Sequence, residues 1–142
     1  MAGMSNAMID KIVNATTPTG TAGAPGTFAA YGGSSMKIKL TSTASAAAAS
    51  GTEITGTGYT ANGANVANQS AASSAGSGIT LPATAALSWT NGSGGAWSIQ
   101  SFELLDSANV RTWFGNFTGA PVSVANGNTF QIGIAGISIN AA

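Results

Sequence analysis

The stretch that decides the fold is Trp97-Ser-Ile-Gln-Ser-Phe-Glu-Leu-Leu105, Asp106-Ser-Ala-Asn109 and Val110-Arg-Thr-Trp-Phe-Gly-Asn-Phe117, read as one unit. Its two outer pieces are rich in β-branched and aromatic residues, which favour strands. The middle piece contains the residue types that favour turns. The sequence therefore predicts two paired strands around a turn. We expect Asp106 to cap this turn by accepting backbone N–H groups, and Arg111, across the hairpin, to be its ion partner.

Further strands are predicted on both sides of this hairpin. Lys37-Ile-Lys-Leu-Thr41 alternates polar and apolar residues, which is typical of a half-buried strand with Lys37 and Lys39 on its solvent side. Asn126-Gly127 predicts the turn of a second hairpin. The remaining predicted strands cover residues 79–81, 87–89, 122–124, 129–134 and 137–139. Short strands without a long helix predict an all-β chain, a single β-sandwich or jelly-roll-like domain of about eight strands.

The first part of the chain differs from the rest and is predicted to be an N-terminal arm over residues 1–33, ahead of a sandwich domain over 34–142. Ser5 is expected to cap a short helix whose apolar stripe follows. The stripe consists of Met8, Ile9, Ile12 and Val13. A helix of about two turns is unstable alone. It therefore docks either on its own domain or on a neighbouring subunit, and a Gly- and Pro-rich strap follows it.

Charged residues are scarce in this chain. Its 142 residues include four Lys or Arg, four Asp or Glu, and no His or Cys, whereas an average domain is about a quarter charged. Acid–base and nucleophilic catalysis draw mainly on the residue types that are rare here. No catalytic residue is therefore assigned, and the chain is not expected to be an enzyme. A surface with so little charge protects a free monomer poorly against association and precipitation. This indicates a protein that shares its surface with other subunits.

The same composition bears on ligands. Without His or Cys, soft and imidazole metal ligands are missing, and four scattered acids make a poor calcium site. The zero net charge removes the basis for neutralising phosphates. No stretch reaches the ~18 apolar residues of a membrane-spanning helix. We therefore expect no cofactor, no metal, no nucleic acid and no membrane as partners.

One glycine-rich motif is superficially similar to a phosphate-binding loop. It is Gly51-Thr-Glu-Ile-Thr-Gly-Thr-Gly-Tyr59, and no lysine or helix start follows it, so the phosphate signal is weak. We expect Gly56 and Gly58 to form a tight turn that aims Tyr59 into the core, with Glu53 accepting backbone N–H groups. The core itself is expected mainly from the second half of the chain, with Trp113 and Phe130 among its large side chains.

Taken in order, these pieces resemble a family of small virion proteins from tailed bacteriophages of actinobacteria. The motif over residues 51–59 is similar to the family's G-T-E-[VI]-x-G-x-G-Y pattern, and it is the most specific piece. The other matching pieces are residues 8–13, 36–41, 102–106, 113–117 and 122–130. Two departures are Asn128, where the family has Asp, and Lys37 with Lys39, where relatives carry a more aromatic strand.

The resemblance implies a non-enzymatic structural protein of the virion. We expect a minor capsid or decoration protein that binds and stabilises the outer capsid surface, with the major capsid protein and further copies of itself, in a homotrimer, as partners. The stripe over residues 8–13, Lys37 and Lys39 are the expected contacts. The alternative is a minor tail or tail-fibre component that contacts host glycans through Trp89 or Trp97, although core packing is the preferred interpretation of both tryptophans. A glycan hydrolase, which would need distant acids such as Glu53 and Glu103, is the least favoured hypothesis.

Overall fold

Short antiparallel strands form the regular structure of this protein. The computed structural model describes residues 2–6, 36–66, 79–81, 85–106 and 108–139. These residues contain eleven strands and no helix: β1 (Ala2–Met4), β2 (Met36–Thr41), β3 (Ala64–Val66), β4 (Ile79–Leu81), β5 (Leu87–Thr90), β6 (Trp97–Ile99), β7 (Ser101–Leu105), β8 (Arg111–Asn116), β9 (Val122–Val124), β10 (Thr129–Ile132) and β11 (Ile137–Ile139). The predicted β class is therefore confirmed for this part of the chain, with more strands than the eight expected.

The largest sheet has five strands in the order β1-β8-β7-β2-β3. Every neighbouring pair in it is antiparallel. The predicted hairpin is present only in part. Strand β7 pairs with β8, with Leu105 opposite Arg111 after an irregularity between Leu104 and Leu105, whereas the first part of the predicted strand is β6 and pairs with β9. Strand β7 is the central strand, and all five of its residues are buried. Both faces of the sheet are therefore covered at its centre.

The two faces of the five-stranded sheet carry different kinds of side chain. Ile38 and Leu40 of β2 are fully buried, and Lys37 and Lys39, which alternate with them along the strand, are half-buried. Because side chains alternate along a strand, apolar residues point to one face and the lysines to the other. The apolar face contributes to a cluster with residues of the smaller sheets: Met36, Ile38, Leu40, Ile54, Val66, Trp89, Trp97, Ile99, Phe102, Leu104, Val124, Ile132 and Ile137.

The large aromatic side chains divide between the inside and the margin of this cluster. Trp89 and Trp97 are each 4 % exposed, so both are core residues, as preferred from the sequence, and neither offers a face for stacking on host glycans. Trp113 and Phe130, expected to be large core residues, are half-buried and pack against the cluster from outside. The ring of Phe130 lies 6.1 Å from Trp89 and 5.4 Å from Phe117, between ring centres.

The predicted hairpin between residues 122–124 and 129–134 is wrong. Strand β9 pairs with β6, and β10 pairs with β5. The turn at Asn126-Gly127 does form, because the Asn128 N–H binds the Ala125 carbonyl at 3.0 Å. The backbone of Asn91 holds this turn, because its N–H donates to the Asn128 carbonyl and its carbonyl accepts the Gly127 N–H. The local turn signal was correct, but long-range contacts decide which strands it joins.

The N-terminal residues form a strand that the sequence pattern did not predict. Strand β1 pairs with β8, and Ser5 continues this contact through its N–H, which binds the Thr112 carbonyl at 2.9 Å. The last residue of β1, Met4, and the first residue of β2, Met36, both lie at the end of the sheet where β8 begins. The predicted helix and strap, including Met8, Ile9, Ile12 and Val13, lie outside the described residues. Strand β3, after the Asn62-Gly63 turn, was also not predicted.

Trp97 provides the clearest test of this core. We expect Trp97→Ala to lower the free energy of unfolding by about 3–5 kcal/mol, since the ring is buried and Nε1–H donates to the Thr55 carbonyl. The control is Ile134→Ala, because Ile134 is 59 % exposed and should change stability by less than about 0.5 kcal/mol. Urea unfolding of both variants measures the difference. Equal losses would contradict the assignment of the core.

Candidate functional site

Glu103 is the most unusual side chain in the described part of the chain. It lies on the central strand β7, and its side chain is fully buried. It points away from the hydrophobic cluster because its neighbours Phe102 and Leu104 point into that cluster. In the register of the sheet Lys39 of β2 lies directly opposite Glu103. The sheet therefore holds a carboxylate at its centre, on the face that is not part of the apolar core.

Five groups donate to this carboxylate, and with it they form what we call the Glu103 cluster. The Lys39 ammonium lies 2.5 Å from Oε2, and the Arg111 guanidinium lies 3.2 Å from Oε1. Ser50 Oγ donates to Oε2 at 2.6 Å and Ser45 Oγ to Oε1 at 2.8 Å. The Gly51 N–H donates to Oε1 at 2.9 Å. A carboxylate has about four lone-pair sites, so this buried charge is fully hydrogen-bonded.

Residues 42–52 form a loop that covers this face of the sheet. Arg111 holds the loop by donating to the carbonyl oxygens of Ala47 and Ala49, at 2.8 and 2.6 Å. Gly51 lies so close to β2 that a Cβ there would be 2.6 Å from Thr41 Oγ1. The alanine- and serine-rich stretch over residues 43–51 is thus a loop. Its short side chains let its backbone approach the Glu103 cluster.

The surroundings of Glu103 keep it ionised. Burial by itself raises the pKa of its carboxyl, but hydrogen bonds from Lys39, Ser50 and Ser45 and from the Gly51 N–H lower it further than burial raises it. The net effect is a pKa below the ordinary glutamate value. At neutral pH the carboxylate is therefore charged, and it balances one of the two cations beside it.

The cluster contains a serine beside a lysine, which raises the question of nucleophilic catalysis. Lys39 Nζ donates to Ser50 Oγ at 2.9 Å, and Ser50 Oγ donates to Glu103. A general base works best with a pKa near the operating pH, and the pKa of Glu103 is shifted away from it. The Gly51 N–H, which could stabilise an oxyanion, is already bound to Glu103. The arrangement therefore fits a structural ion cluster that fixes the loop.

The structure corrects two expectations about the cations of this site. Arg111 forms its ion pair with Glu103, whereas the sequence pattern suggested Asp106. Lys39 was expected on the solvent side, but its side chain is only 13 % exposed because the loop covers it. Lys37 lies on the same face, and its Nζ donates to Asn109 Oδ1 at 2.8 Å. The Arg111 guanidinium also lies over the ring of Phe114, 5.5 Å from its centre.

Asp106 has the capping geometry expected of it. Its Oδ1 accepts the backbone N–H groups of Ala108 and Val110 at 2.9 and 2.8 Å. The Asn109 N–H also binds the Asp106 carbonyl at 3.0 Å, and Asn109 has a φ of 60°. These contacts close the turn between β7 and β8. The turn thereby sets the register that places Arg111 on the same face as Glu103.

A second group of polar side chains links the glycine-rich motif over residues 51–59 to β2. The Tyr59 hydroxyl donates to Glu53 Oε1 at 3.0 Å and accepts the Leu40 N–H at 3.0 Å. The backbone contact expected for Glu53 is present, since the Asn62 N–H donates to Oε1 at 2.6 Å. Burial raises the pKa of the Tyr59 hydroxyl. The ring packs edge-on against Trp97, with 6.2 Å between ring centres, so Tyr59 joins the margin of the core.

The glycines of this motif allow the chain to pass close to β5. Gly58 has a φ of 91°, and a Cβ there would lie 1.8 Å from the Thr90 carbonyl oxygen. Gly56 has a φ of 116°, and a Cβ there would lie 2.5 Å from Ser93 Cβ. Both positions therefore need glycine, for conformation and for space. This is a structural role, as the sequence suggested.

A cleft of about 200 Å³ is lined by Phe102, Gly115, Asn116, Phe117, Thr118, Gly136, Ile137 and Ser138, which is smaller than the ~300–1,000 Å³ typical of ligand pockets. No group of three potential metal ligands among His, Cys, Asp and Glu occurs in that part of the chain. No helix there has the length and apolar character needed to cross a membrane.

Comparison of the chain with protein families, with curated proteins and with solved structures finds no match in any of the three. The similarity to phage virion proteins therefore stays a prediction from the sequence motifs. The properties of the site rest on the geometry described above. Sequence reasoning did not single out Glu103 as an organising residue, although an acidic residue inside the apolar run Phe102-Glu-Leu-Leu105 was a visible signal.

Replacement of Glu103 tests whether it organises the loop. We expect Glu103→Gln to lower the free energy of unfolding by about 3–5 kcal/mol, because two largely buried cations lose their counter-charge. Glu53→Gln is the matched control, since no ion pair of Glu53 occurs among the described residues; it should lose at most about 1.5 kcal/mol. Urea unfolding at neutral pH measures both variants. A Glu103→Gln variant as stable as the parent would contradict this role.

The lowered pKa of Glu103 predicts a specific acid sensitivity. In the unfolded chain the carboxyl titrates near pH ~4.3, and in the folded protein it titrates lower. Its stabilising contribution is therefore complete above about pH 4.3 and is lost as the pH falls through the folded pKa. Unfolding free energies measured from neutral to acidic pH should fall less steeply for Glu103→Gln than for the parent. Parallel curves would show that Glu103 does not cause the acid loss.

Proposed function

We propose that this chain is a non-enzymatic structural protein of a tailed-bacteriophage virion. Its role is that of a minor capsid or decoration protein that binds and stabilises the outer capsid surface. The observation that carries the proposal is the distribution of charge. The described part of the chain has six charged residues, and each is buried or half-buried rather than fully exposed.

Each of these charged side chains is bound within its own chain. Lys39, Glu103 and Arg111 form the Glu103 cluster. Glu53 accepts from a tyrosine hydroxyl and a backbone N–H. Asp106 caps its turn, and Lys37 donates to an asparagine side chain. The described surface is therefore made mainly of short neutral side chains and of backbone.

A surface of this kind suits burial against other subunits. Ser, Thr, Ala and Gly lose little side-chain entropy when a contact orders them. Neutral groups also have a smaller desolvation penalty than charges that end up imperfectly paired. For a free monomer the same surface is a disadvantage, because charge is what keeps proteins apart in solution. These properties favour a protein whose normal state is an assembly.

The proposal extends to architecture and partners. We infer a single β-sandwich or jelly-roll-like domain, supported by the one hydrophobic cluster to which both the five-stranded sheet and the two-stranded sheets contribute. The proposed partners are the major capsid protein and two further copies of the chain, in a homotrimer. The motif similarity over residues 51–59 supports the assignment to a phage virion.

A minor tail or tail-fibre component is the competing role. Its proposed mode of host contact used the faces of Trp89 and Trp97 as platforms for sugar rings. Both indoles are buried, so they cannot stack on a glycan without opening the core. This observation favours the capsid role over the fibre role.

Copy number and oligomeric state test the proposal. We expect the purified chain to sediment as a trimer, and quantitative mass spectrometry of purified virions to find it in high copy number, in icosahedral proportion to the major capsid protein. A few copies per particle would favour the tail-fibre alternative. A monomer at high concentration that is also absent from virions would overturn the proposal.

The contact predicted for the N-terminal stripe needs substitutions rather than deletion. Removal of residues 1–15 would also remove β1, which is paired with β8. The variant Ile9→Ser with Ile12→Ser keeps that strand. Loss of incorporation into particles with an unchanged melting temperature is expected if the stripe contacts the capsid. A lower melting temperature together with lost incorporation would instead indicate that the stripe packs within its own domain.

A further inference from the structure

Three Asn-Gly pairs occur in the described residues, at 62–63, 91–92 and 126–127. In such a pair the backbone nitrogen of glycine can attack the asparagine side chain, and glycine has no side chain to hinder the approach. We propose that Asn62 is a site of spontaneous deamidation in the folded protein and that the fold protects Asn91 and Asn126. The proposal is independent of the virion role.

The reaction needs only water. The Gly63 nitrogen loses its proton and forms a bond to Asn62 Cγ; the bond from Cγ to the side-chain nitrogen breaks, and ammonia leaves. The product is a cyclic imide. Water then opens either of its two carbonyls, which yields aspartate or isoaspartate with a new carboxylate. The two requirements are therefore a free glycine N–H and a side chain that can rotate toward it.

Neither requirement is met at Asn91. This side chain is fully buried, and its Nδ2 donates to the carbonyl oxygens of Gly95 and Val124 at 2.8 and 2.7 Å. Its Oδ1 accepts from Ser93. The nucleophile is also occupied, since the Gly92 N–H binds the Thr57 carbonyl at 2.8 Å. Reaction at Asn91 requires a large local opening.

Asn126 is exposed, but both of its reacting groups are held. Its Oδ1 accepts the Gly94 N–H at 2.9 Å, which fixes the side chain toward the neighbouring loop. The Gly127 N–H binds the carbonyl of the buried Asn91 at 2.6 Å. Both bonds link the turn to the Asn91 region, so a local fluctuation of the turn alone does not free the nucleophile.

Asn62 is different. It is exposed, has a φ of 63°, and its side chain has no hydrogen bond among the described residues. Two contacts restrain the nucleophile. The Gly63 N–H binds the Thr60 carbonyl of the same turn at 3.0 Å, and Gly63 itself is buried against the backbone of β2, where a Cβ would lie 2.1 Å from the Ile38 carbonyl oxygen. Surface turns open with less free energy than buried contacts do. Asn62 therefore meets the side-chain requirement as it stands, and its nucleophile is released when this one turn opens.

The product would disturb the neighbouring motif. The Asn62 N–H donates to Glu53 Oε1 at 2.6 Å, so a carboxylate at position 62 would lie near the Glu53 carboxylate. Like charges at short range repel each other. The isoaspartate form would also lengthen the backbone within this turn. Both changes weaken the contact that links Glu53 and Tyr59 to β2.

Peptide mapping by mass spectrometry tests the site. The full-length chain is incubated at mildly alkaline pH, once folded and once in concentrated urea, and deamidation is followed at each asparagine. In the folded protein we expect Asn62 to react at least about tenfold faster than Asn91 and Asn126, because those two wait for a larger opening. In urea the three rates should become comparable. Equal rates in the folded protein, or no reaction at Asn62 before unfolding, would overturn the proposal.

Two single variants and a double-mutant cycle with Glu53 complete the test. Asn62→Gly should abolish the signal while keeping the turn, since glycine accepts a positive φ, and Asn126→Gln should leave the rate at Asn62 unchanged. Asn62→Asp represents the product. Its melting temperature should fall relative to the parent in the native background, and less in a Glu53→Gln background. Equal falls in both backgrounds would show that repulsion from Glu53 does not follow deamidation.

Discussion

The buried carboxylate of Glu103 is the constraint on which much of the structure depends. A charge at the centre of a sheet is tolerated only with paired counter-charges and complete hydrogen bonding. The chain meets this condition from three directions: Lys39 from β2, Arg111 from β8, and two serines and a backbone N–H from the loop over residues 42–52. The composition of that loop follows from the same condition. A tract of small residues can bring hydroxyls and backbone groups within reach of a strand, whereas larger side chains would hold it away.

The cluster explains the organisation of the sheet better than its net stability. Replacing a buried ion cluster by apolar side chains is often neutral or stabilising, whereas removing one partner is costly. A more specific effect of the cluster is on the register of β2 against β7. A shift of β2 by one residue would move Lys39 to the apolar face and leave Glu103 without its partner. The hydroxyls of Thr41, Ser45 and Ser101 continue the polar face, with Thr41 and Ser101 bonded to each other. We infer that this network selects one pairing of the strands and one face for the loop.

The sequence predicted elements whose signals are local. The pairing of β7 with β8, the alternation of β2 and the turn capped by Asp106 all depend on residues close together in the chain. The hairpin expected around Asn126 failed because Asn91, far away in sequence, holds that turn while β9 and β10 pair elsewhere. Strand β1 was missed because Ala2-Gly-Met4 has no strand pattern and pairs through its backbone. The Glu103 cluster needed the register of three strands, which no single stretch of sequence contains.

In the described part of the chain, charged side chains are buried or half-buried, and neutral polar groups make up most of the surface. In most soluble proteins Lys, Glu, Arg and Asp are almost never buried unless paired, and they cover the exterior. Here the charged residues of the described part serve as internal connectors, and hydroxyls, amides and glycine backbone remain for the surface. A neutral exterior sets no electrostatic barrier against copies of itself, and its short side chains lose little entropy in a contact. The same reasoning gives the deamidation site its significance. A carboxylate at Asn62 would put on the surface the kind of group that the described part of the chain otherwise binds within its own structure.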